Sequence, residues 1–368
     1  MVVQDVQNIL ESWLPEDIAW DRDAIGLQIG SPGAKVRSIL VTLDVTDSAI
    51  QEAVQKRIDL IITHHPLIFH PLRTVTDGTR VGRLVLQLAR ANISLYAAHT
   101  NLDFALNGVS FALAERLKLG NLGFLQPGKP LEKKVVVFVP ADHADALMSA
   151  MAEAGAGHIG NYEECSFRSD GTGTFRSGRG ARPFLGKPGR REKVPEVRLE
   201  MITPARKLRD VISALRSAHP YEEAAYDVYD LKNESSSHGA GVIGELRRAM
   251  TLKEFLSHVR RSLGTPTLRY SGGRGRRIKR VAVCGGSGSD LLPAARQKFA
   301  DAFVTADITY HTFQETDGDL AIIDAGHFET ERPILSPLVE YLRKQFAQRK
   351  EKVRVSVPSR MSNPVQYN

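Results

Sequence analysis

One α/β pattern occurs twice in this chain. The stretch ILVTLDVTDSAIQEAVQKRIDLIITHHP, which begins at Ile39, resembles RVAVCGGSGSDLLPAARQKFADAFVTADI, which begins at Arg280. Each predicts a strand, a turn, a helix and a second strand. Each is followed by another apolar strand and by a His four residues before a carboxylate, in AAHTNLD from Ala97 and AGHFETE from Ala325. The repeat predicts a duplicated α/β unit with its chemistry at matching strand ends.

A different pattern separates the two copies. The strands KKVVVFVP, from Lys133, and VRLEMITP, from Val197, each lead into a helix and then to Tyr-Glu-Glu. With GTGTF as a further strand, the order β-α-β-β-α-β predicts an inserted ferredoxin-like α+β domain. The polar segment NESSSHGAG, from Asn233, is typical of a linker. We therefore expect core lobe one at residues 1–131, the insert at 132–238 and core lobe two at 239–368.

The net charge of +7 is concentrated in one segment. Between Arg168 and Lys193, eight Lys or Arg stand against two carboxylates, a local charge of +6 that leaves the rest of the chain at +1. Because the segment is rich in glycine, we interpret it as a solvated flexible loop in preference to an anion-binding surface. Nucleic-acid binding is the least favoured function, since the segment has no recognised binding motif.

The compartment and the kind of metal site also follow from composition. No apolar run approaches the ~18 residues of a membrane span, and the N-terminus lacks a signal pattern, so we expect a cytoplasmic protein. The two cysteines, Cys165 and Cys284, fall in different predicted domains, which argues against a disulfide and against a Cys-based zinc site. Any metal would then be held by His and carboxylate.

Six such groups follow predicted buried strands. His64 and His65 come directly after DLIIT, and Pro66 ends that strand, so both imidazoles can turn to one place. The others occupy repeat-related positions: His99, Asp103, His327 and Glu331. Imidazole with carboxylate suits Zn, Fe or Mn. Because six groups exceed the needs of one tetrahedral ion, we expect two divalent ions that share a bridging carboxylate and leave positions open for water.

These motifs carry a family resemblance. ITHHPLIF, AAHTNLD, GGSGSDLL, TADITYH and DAGHFETE resemble the dinuclear-metal-centre family of GTP cyclohydrolase 1 type 2 homologues, also described as NGG-interacting-factor-three-like proteins. The resemblance covers nearly the whole chain, and the insert looks like the PII- or CutA-like domain of the longer bacterial members. It implies a three-layer α/β/α core and a toroidal homohexamer, a trimer of dimers.

The resemblance also implies roles for individual residues. By motif, Glu331 bridges the two ions, and the remaining ligands are paired as His65 with Asp103 and His64 with His327. His99 is left as a catalytic neighbour that transfers protons. The chain departs from the family's usual Trp-Asp-Asn, which here reads WDRDAIGLQ from Trp20, so what replaces that Asn is open.

We expect a hydrolase that acts on a small molecule, a nucleotide or related heterocycle. A metal-bridged hydroxide would attack the substrate, at purine C8 in a GTP cyclohydrolase reaction, while His99 passes protons. The alternative is a metal carrier or regulatory protein, which would have the same site and no turnover. The loop GGSGSD, from Gly285, either offers backbone N–H groups to a phosphate or forms a tight strand-to-helix turn.

Overall fold

A computed structural model describes residues 1–315, 318–361 and 363–366. The chain divides into two compact units: Met1–Gly128 together with Ser236–Asn368, and Lys129–Ser235. We call them the core unit and the inserted unit. Across the described ranges, no helix is long and apolar enough to cross a membrane.

The first segment of the core unit begins with a helix and alternates strands with helices. Its strands are β1 (Gly26–Ile29), β2 (Ser38–Thr42), β3 (Leu60–Thr63), β4 (Ser94–Ala97) and β5 (Leu119–Pro127). Its helices are α1 (Val3–Glu11), α2 (Asp47–Gln55), α3 (Arg80–Arg90), α4 (Thr100–Phe104) and α5 (Val109–Arg116).

The inserted unit is an antiparallel sheet with two helices. In chain order it comprises β6 (Glu132–Pro140), α6 (Ala144–Glu153), β7 (Ser166–Arg176), β8 (Arg191–Pro204), α7 (Leu208–Ala218) and β9 (Tyr226–Asp230). The strands lie in the order β7-β8-β6-β9. Its core forms because alternate residues of β6, such as Val135 and Val137, pack with Leu147 of α6 and Leu215 of α7.

The basic segment is more ordered than its composition predicts. Arg168 lies in β7 and Lys193 in β8, and the two strands pair through a continuous antiparallel register. Only residues 177–190 lie outside the strands of this hairpin. The interpretation as a flexible loop is therefore wrong for residues 168–176 and 191–193, which lie in paired strands, because the glycines of β7 alternate with strand-forming Thr and Phe.

The second segment of the core unit completes two sheets. Its strands are β10 (Gly239–Thr251), β11 (Arg269–Ser271), β12 (Arg277–Ser287), β13 (Ala302–Ala306), β14 (Ala321–Asp324) and β15 (Arg354–Ser356). Its helices are α8 (Leu252–Leu263), α9 (Leu292–Gln297), α10 (Tyr310–Gln314), α11 (His327–Glu331) and α12 (Leu335–Gln348).

The two core sheets contain the same four-strand arrangement. The lobe-one sheet has the order β1-β4-β3-β2-β15, in which β4, β3, β2 and β15 are parallel and β1 is antiparallel to β4. The lobe-two sheet has the order β11-β14-β13-β12-β10-β5, in which β14, β13 and β12 are parallel and β11 is antiparallel to β14. The protein is therefore a mixed α/β structure, and the strands that matched in sequence occupy matching places.

The central parallel strands are mostly apolar because both faces of each sheet are covered. Every residue of β2, β3, β4, β13 and β14 is buried. The ladders end together at Thr63, Ala97 and Asp324. The side chains that follow these residues are therefore brought to the carboxyl edges of the two sheets.

Candidate metal centre

The chain after β3 brings two adjacent histidines into one site. The backbone N–H of His64 donates to Thr42 O at 3.1 Å, and that of His65 donates to Leu43 O at 2.9 Å. Thr63 ends the strand with its hydroxyl bonded to both Leu43 O and His65 O. The two imidazole ring centres lie 4.8 Å apart, so the strand has ended where Pro66 predicted.

The two His-x-x-x-carboxylate pairs both lie at the start of short helices. His99 is the residue directly before α4, which contains Asp103, and α11 runs from His327 to Glu331. Gly326 has a φ of 90°, a left-handed backbone that lets α11 begin with only two residues between it and β14. Because residues four apart share a helix face, His327 Nε2 lies 2.9 Å from Glu331 Oε1.

Ligand atoms from both lobes converge on Glu331, whose exposure is only 3%. His64 Nε2 lies 3.6 Å from Glu331 Oε1 and 3.6 Å from Asp103 Oδ1. His65 Nε2 lies 3.1 Å from Glu331 Oε2 and 3.2 Å from His327 Nε2. The ligand atoms of His64, His65 and Glu331 all lie within 4.8 Å of one another, a group that could hold a metal ion. The distances join His64 with Asp103 and His65 with His327, a grouping that differs from the one the resemblance implies.

The chemistry of this cluster fits a cation. Within the described residues, three of its buried atoms have no hydrogen bond: His64 Nε2, Asp103 Oδ1 and Glu331 Oε2, the last of which has only the ion pair with His65. Such atoms are costly unless something charged or polar satisfies them. Two nitrogens bound to one tetrahedral zinc would be about 3.3 Å apart for the usual Zn–N distance, and His65 Nε2 and His327 Nε2 are 3.2 Å apart. The donor set therefore suits divalent metal.

A second layer of acceptors turns the Nε2 atoms of three histidines inward. His65 Nδ1 donates to Asp44 at 3.1 Å, and His327 Nδ1 donates to Asp307 at 2.6 Å. His64 Nδ1 donates to the carbonyl of Ala98 at 2.9 Å. Each of these bonds fixes a ring so that Nε2 faces the cluster, as outer partners do in metal sites.

His99 is held in the same manner by a residue that the motif comparison left open. Its Nδ1 donates to both carboxylate oxygens of Asp23, at 2.9 and 3.0 Å, and Thr100 donates to the same carboxylate. Asp23 is nearly buried, whereas Asp21 is exposed. Asp23, not Asp21, is thus the acid of the WDRDAIGLQ stretch that reaches this site.

Asp44 and Asp307 are not among the site residues predicted from the sequence. Asp44 comes two residues after β2, and Asp307 directly follows β13. Both strands are parallel, so the rule that placed the histidines would also have placed these carboxylates. A carboxylate just after a parallel strand is therefore a sequence signal for this site, and it is present in both repeats.

The neighbouring carboxylates raise the pKa of two imidazoles. Burial opposes the charge on His65, but Asp44 and Glu331 outweigh it and raise its pKa to about 10. Burial is likewise outweighed at His327, where Glu331 and Asp307 raise the pKa to about 9. Because the two Nε2 atoms face each other at 3.2 Å, separate protons on both would repel. The two imidazoles therefore hold proton charge in the space that a divalent cation would take.

The pKa values of three other titrating groups of the site are also shifted by burial and by neighbouring charges. Burial, with the charge of Glu331, raises the pKa of Asp103 to about 6. Burial disfavours the charge on Glu331 too, yet the surrounding histidines hold its pKa well below the usual range. Burial lowers the pKa of His99 despite its bond to Asp23. Glu331 is thus the anionic centre of the cluster and His99 a neutral imidazole beside it.

The GGSGSD loop packs against Glu331. Gly286 has a φ of 63°, and a Cβ there would lie 2.3 Å from Glu331 Oε1. The N–H groups of Gly285 and Gly286 already donate to the hydroxyls of Ser110 and Thr330. The structure therefore favours the turn over the phosphate-binding loop, because these two N–H groups are occupied and the glycine makes room for the acid.

One side of the cluster is open. The side chains of His64 and Glu331 are only 1% and 4% exposed, whereas those of His65 and His327 are 26% and 36% exposed. A small molecule could therefore reach the ligand atoms from the side of these two rings. Structural zinc sites are closed, so this openness favours a catalytic site over a structural one.

Comparison with known proteins gives consistent matches over most or nearly all of the chain. A family model described as Duf34/NIF3 (NGG1p interacting factor 3) matches residues 1–364. A protein of Halalkalibacterium halodurans named GTP cyclohydrolase 1 type 2 homolog is 39% identical over 367 residues, which are 99% of this chain and 98% of that protein. A Bacillus subtilis protein of the same name is 41% identical over 328 residues, or 88% of each chain.

Solved structures also match nearly the full length of the chain. A Bacillus cereus protein related to NIF3 has 39% identity and a TM-score of 0.82, covering 100% of this chain and 99% of that one. A Staphylococcus aureus protein has 29% identity and a TM-score of 0.85 with the same coverage. The inserted unit is included in both matches.

Proposed function

The chain belongs to the Duf34/NIF3 family, and on that basis we propose that it is a divalent-metal-dependent hydrolase acting on a nucleotide or a related heterocycle. The observation that supports the proposal most is the convergence of imidazole and carboxylate atoms from both lobes on one buried acid, Glu331. Three of those atoms lack a hydrogen bond to any residue the structure describes. A cluster of this composition, open on one side, is what metal-assisted hydrolysis requires.

We propose two ions, of Zn, Fe or Mn, with Glu331 shared between them. His64 and Asp103 would hold one ion, and His65 and His327 the other, because these are the pairs that lie close together. Bound there, the ions would lower the pKa of a water molecule and polarise the substrate. Asp44 and Asp307 would keep the imidazoles turned toward the ions.

His99 is the proposed proton carrier. Its ring centre lies 5.4 Å from that of His64 and 5.9 Å from that of His65, so it adjoins the proposed ligands. The bond from Nδ1–H to Asp23 leaves Nε2 as the basic nitrogen. His99 can therefore accept a proton at Nε2 and return it to a leaving group.

Exposed aromatic rings beside this site support a planar substrate. Phe69, which is 54% exposed, has its ring 6.3 Å from that of His99. Trp20, which is 62% exposed, lies against Phe104 of α4. Aromatic side chains of this kind stack on nucleobases. The name shared by the relatives, GTP cyclohydrolase 1 type 2 homolog, makes GTP the first nucleotide to test.

The finer architecture and assembly belong to the same proposal. The strand order β7-β8-β6-β9 with two helices supports a ferredoxin-like inserted domain. The repeated four-strand arrangement supports a duplicated three-layer core. A homohexamer built as a trimer of dimers is proposed from family membership, and the mass of the particle in solution tests it.

Metal content tests the ligand set. The purified, reloaded protein should carry two divalent ions per chain by elemental analysis. Glu331→Gln should lose both, since it removes the only proposed shared ligand, whereas His158→Ala, an exposed histidine of the inserted unit, should keep both. One ion or fewer per chain in the parent would exclude the dinuclear site.

Turnover separates the hydrolase from a metal carrier. The metal-loaded protein is assayed against nucleotides and pterin precursors with identification of the product. His99→Ala should keep both ions and lower kcat by roughly 10² to 10⁴. A protein at full metal occupancy that turns over none of these compounds would favour the carrier, and a His99→Ala variant at the parent rate would remove His99 from the mechanism.

A further inference from the structure

A second buried acid lies in the inserted unit, away from every residue used above. Glu196 of β8 is only 9% exposed and pairs with Gly171 of β7 and Pro140 of β6. Its Oε1 accepts a hydrogen bond from the hydroxyl of Tyr221 at 2.9 Å. Among the residues the structure describes, no Lys, Arg or His nitrogen forms an ion pair with it. A carboxylate this buried is costly unless a cation neutralises it.

The neighbouring strand is built to admit this carboxylate. Gly173 of β7 lies beside it, and a Cβ at that position would be 2.1 Å from Glu196 Oε2. Any side chain there would displace the acid, so the glycine of GTGTF lets the carboxylate of Glu196 pack directly against the backbone of β7. The acid is therefore accommodated by its surroundings without being paired by them.

Aromatic rings surround the same acid. The ring of Tyr221 lies 5.9 Å from that of Phe175 and 6.2 Å from that of Phe184. Tyr221 is fixed because its backbone N–H donates to His219 Nδ1 at 3.0 Å, while His219 Nε2 donates to Phe138 O at 3.0 Å. The tyrosine thus presents both its ring and its hydroxyl in a set direction.

A hydrogen bond between two segments of the inserted unit holds the ring of Phe184 near the other two rings. The backbone N–H of Arg182 donates to Glu222 Oε1 at 2.9 Å, which ties the tip of the β7-β8 hairpin to the turn after α7. Phe184 follows two residues later and remains 51% exposed. It closes one wall of the cavity while still facing solvent.

The rings and the acid line a cavity of about 310 Å³. Its other acids are Glu222 and Glu223, and Arg176 is its basic residue, so carboxylates outnumber cations in its wall. Cavities of this size hold small molecules. Aromatic faces combined with a carboxylate attract cations, since the ring faces carry partial negative charge. We propose that this cavity binds a small organic cation, with an ammonium or guanidinium group against Glu196 and its carbon body against the three rings.

The test is a calorimetric titration of the full-length protein with choline, with agmatine and with 3,3-dimethylbutan-1-ol, which has the shape of choline without its charge. The two cations should bind saturably and the neutral isostere should not. Glu196→Gln should weaken cation binding at least about tenfold, the scale of a desolvated cation–carboxylate contact. Asp170→Asn, an exposed acid of β7 changed in the same way, should leave it unaltered.

A second variant keeps the test decisive if Glu196→Gln unfolds. Phe184→Ala removes a half-exposed ring, so its melting temperature should match the parent while its cation affinity falls. Equal binding of choline and its isostere would overturn the proposal, as would saturable binding that both variants retain. No binding of either cation to the folded parent would overturn it as well. None of these outcomes depends on metal or on hydrolysis.

Discussion

Gly286 is the residue on which the position of Glu331 most directly depends. Its left-handed backbone costs any other residue about 1–2 kcal/mol, and a Cβ would meet the acid at 2.3 Å. We expect Gly286→Ala to displace Glu331, so that the protein loses metal and melts at a lower temperature. Elemental analysis of the reloaded variant measures the loss.

Gly123→Ala is the matched control for this change. Gly123 lies in β5, and a Cβ there would meet nothing within 4 Å. It should keep both the metal and the melting temperature. Full metal content in Gly286→Ala would mean that Glu331 does not need this close contact.

The raised pKa values of the imidazoles predict how metal affinity depends on pH. The carboxylates around them raise the pKa of His65 to about 10 and that of His327 to about 9, so at neutral pH metal binding must displace protons. Metal affinity should therefore increase as the pH rises from neutral towards about 9 to 10, and binding should release protons.

Chelator competition at several pH values measures this affinity, and titration in buffers of different ionisation enthalpy counts the protons. Removing Asp44, as in Asp44→Asn, should reduce the pH dependence because that carboxylate helps to raise the pKa of His65. An affinity that does not change with pH would contradict the protonated cluster.

At the scale of elements, the sequence predicts well those features that depend on residues close together in the chain. The apolar runs before His64, His99 and His327 mark buried parallel strands, and the histidines follow at their ends. The four-residue spacing of His327 and Glu331 predicts a shared helix face, which α11 provides.

Contacts between distant parts of the chain were not predictable in this way. Asp23 meets His99 across 76 positions, and Glu196 meets Tyr221 across 25 positions in a cavity that no spacing indicates. The basic hairpin was misjudged for a related reason: its strands are ordered by pairing with each other and with β6, not by their own composition. Register and pairing, which belong to the sheet, decide these positions.

Helix α8 should contribute to stability independently of the site. Thr251 caps it by accepting from the Glu254 N–H, and Glu254 in turn accepts from the Thr251 N–H at 2.7 Å. Thr251→Ala should lower the free energy of unfolding by about 1 kcal/mol and leave metal content unchanged. Ser257→Ala, which removes a hydroxyl within the same helix, should not destabilise it. Denaturant titration compares the two, and an equal loss in both would argue against the cap.

At the scale of the whole molecule, the inserted unit should be removable. β5 and β10 pair directly, with Pro127 opposite Gly239, and Gly128 N–H donates to His238 O at 2.9 Å. The chain thus leaves and re-enters the core unit at neighbouring strand ends. Replacing Lys129–Ser235 with a short Gly/Ser linker should leave a folded protein that binds metal.

The deletion should stop at Ser235, because Ser237 O accepts from the Leu106 N–H of the core unit. Circular dichroism and elemental analysis of the shortened protein measure fold and metal. Aggregation, or loss of metal from a folded product, would show that the core unit needs the insert.

Strand β15 has a consequence for the order in which the protein forms during synthesis. It pairs with β2, so Val355 lies beside Ile39 although more than 300 positions separate them. While the ribosome is still extending the chain, the lobe-one sheet has β2 as an open edge, and such edges recruit other strands. The inserted unit is continuous in sequence and can fold as soon as it emerges. The lobe-one sheet is therefore completed only after β15 has emerged, and until then the edge of β2 stays open to other strands.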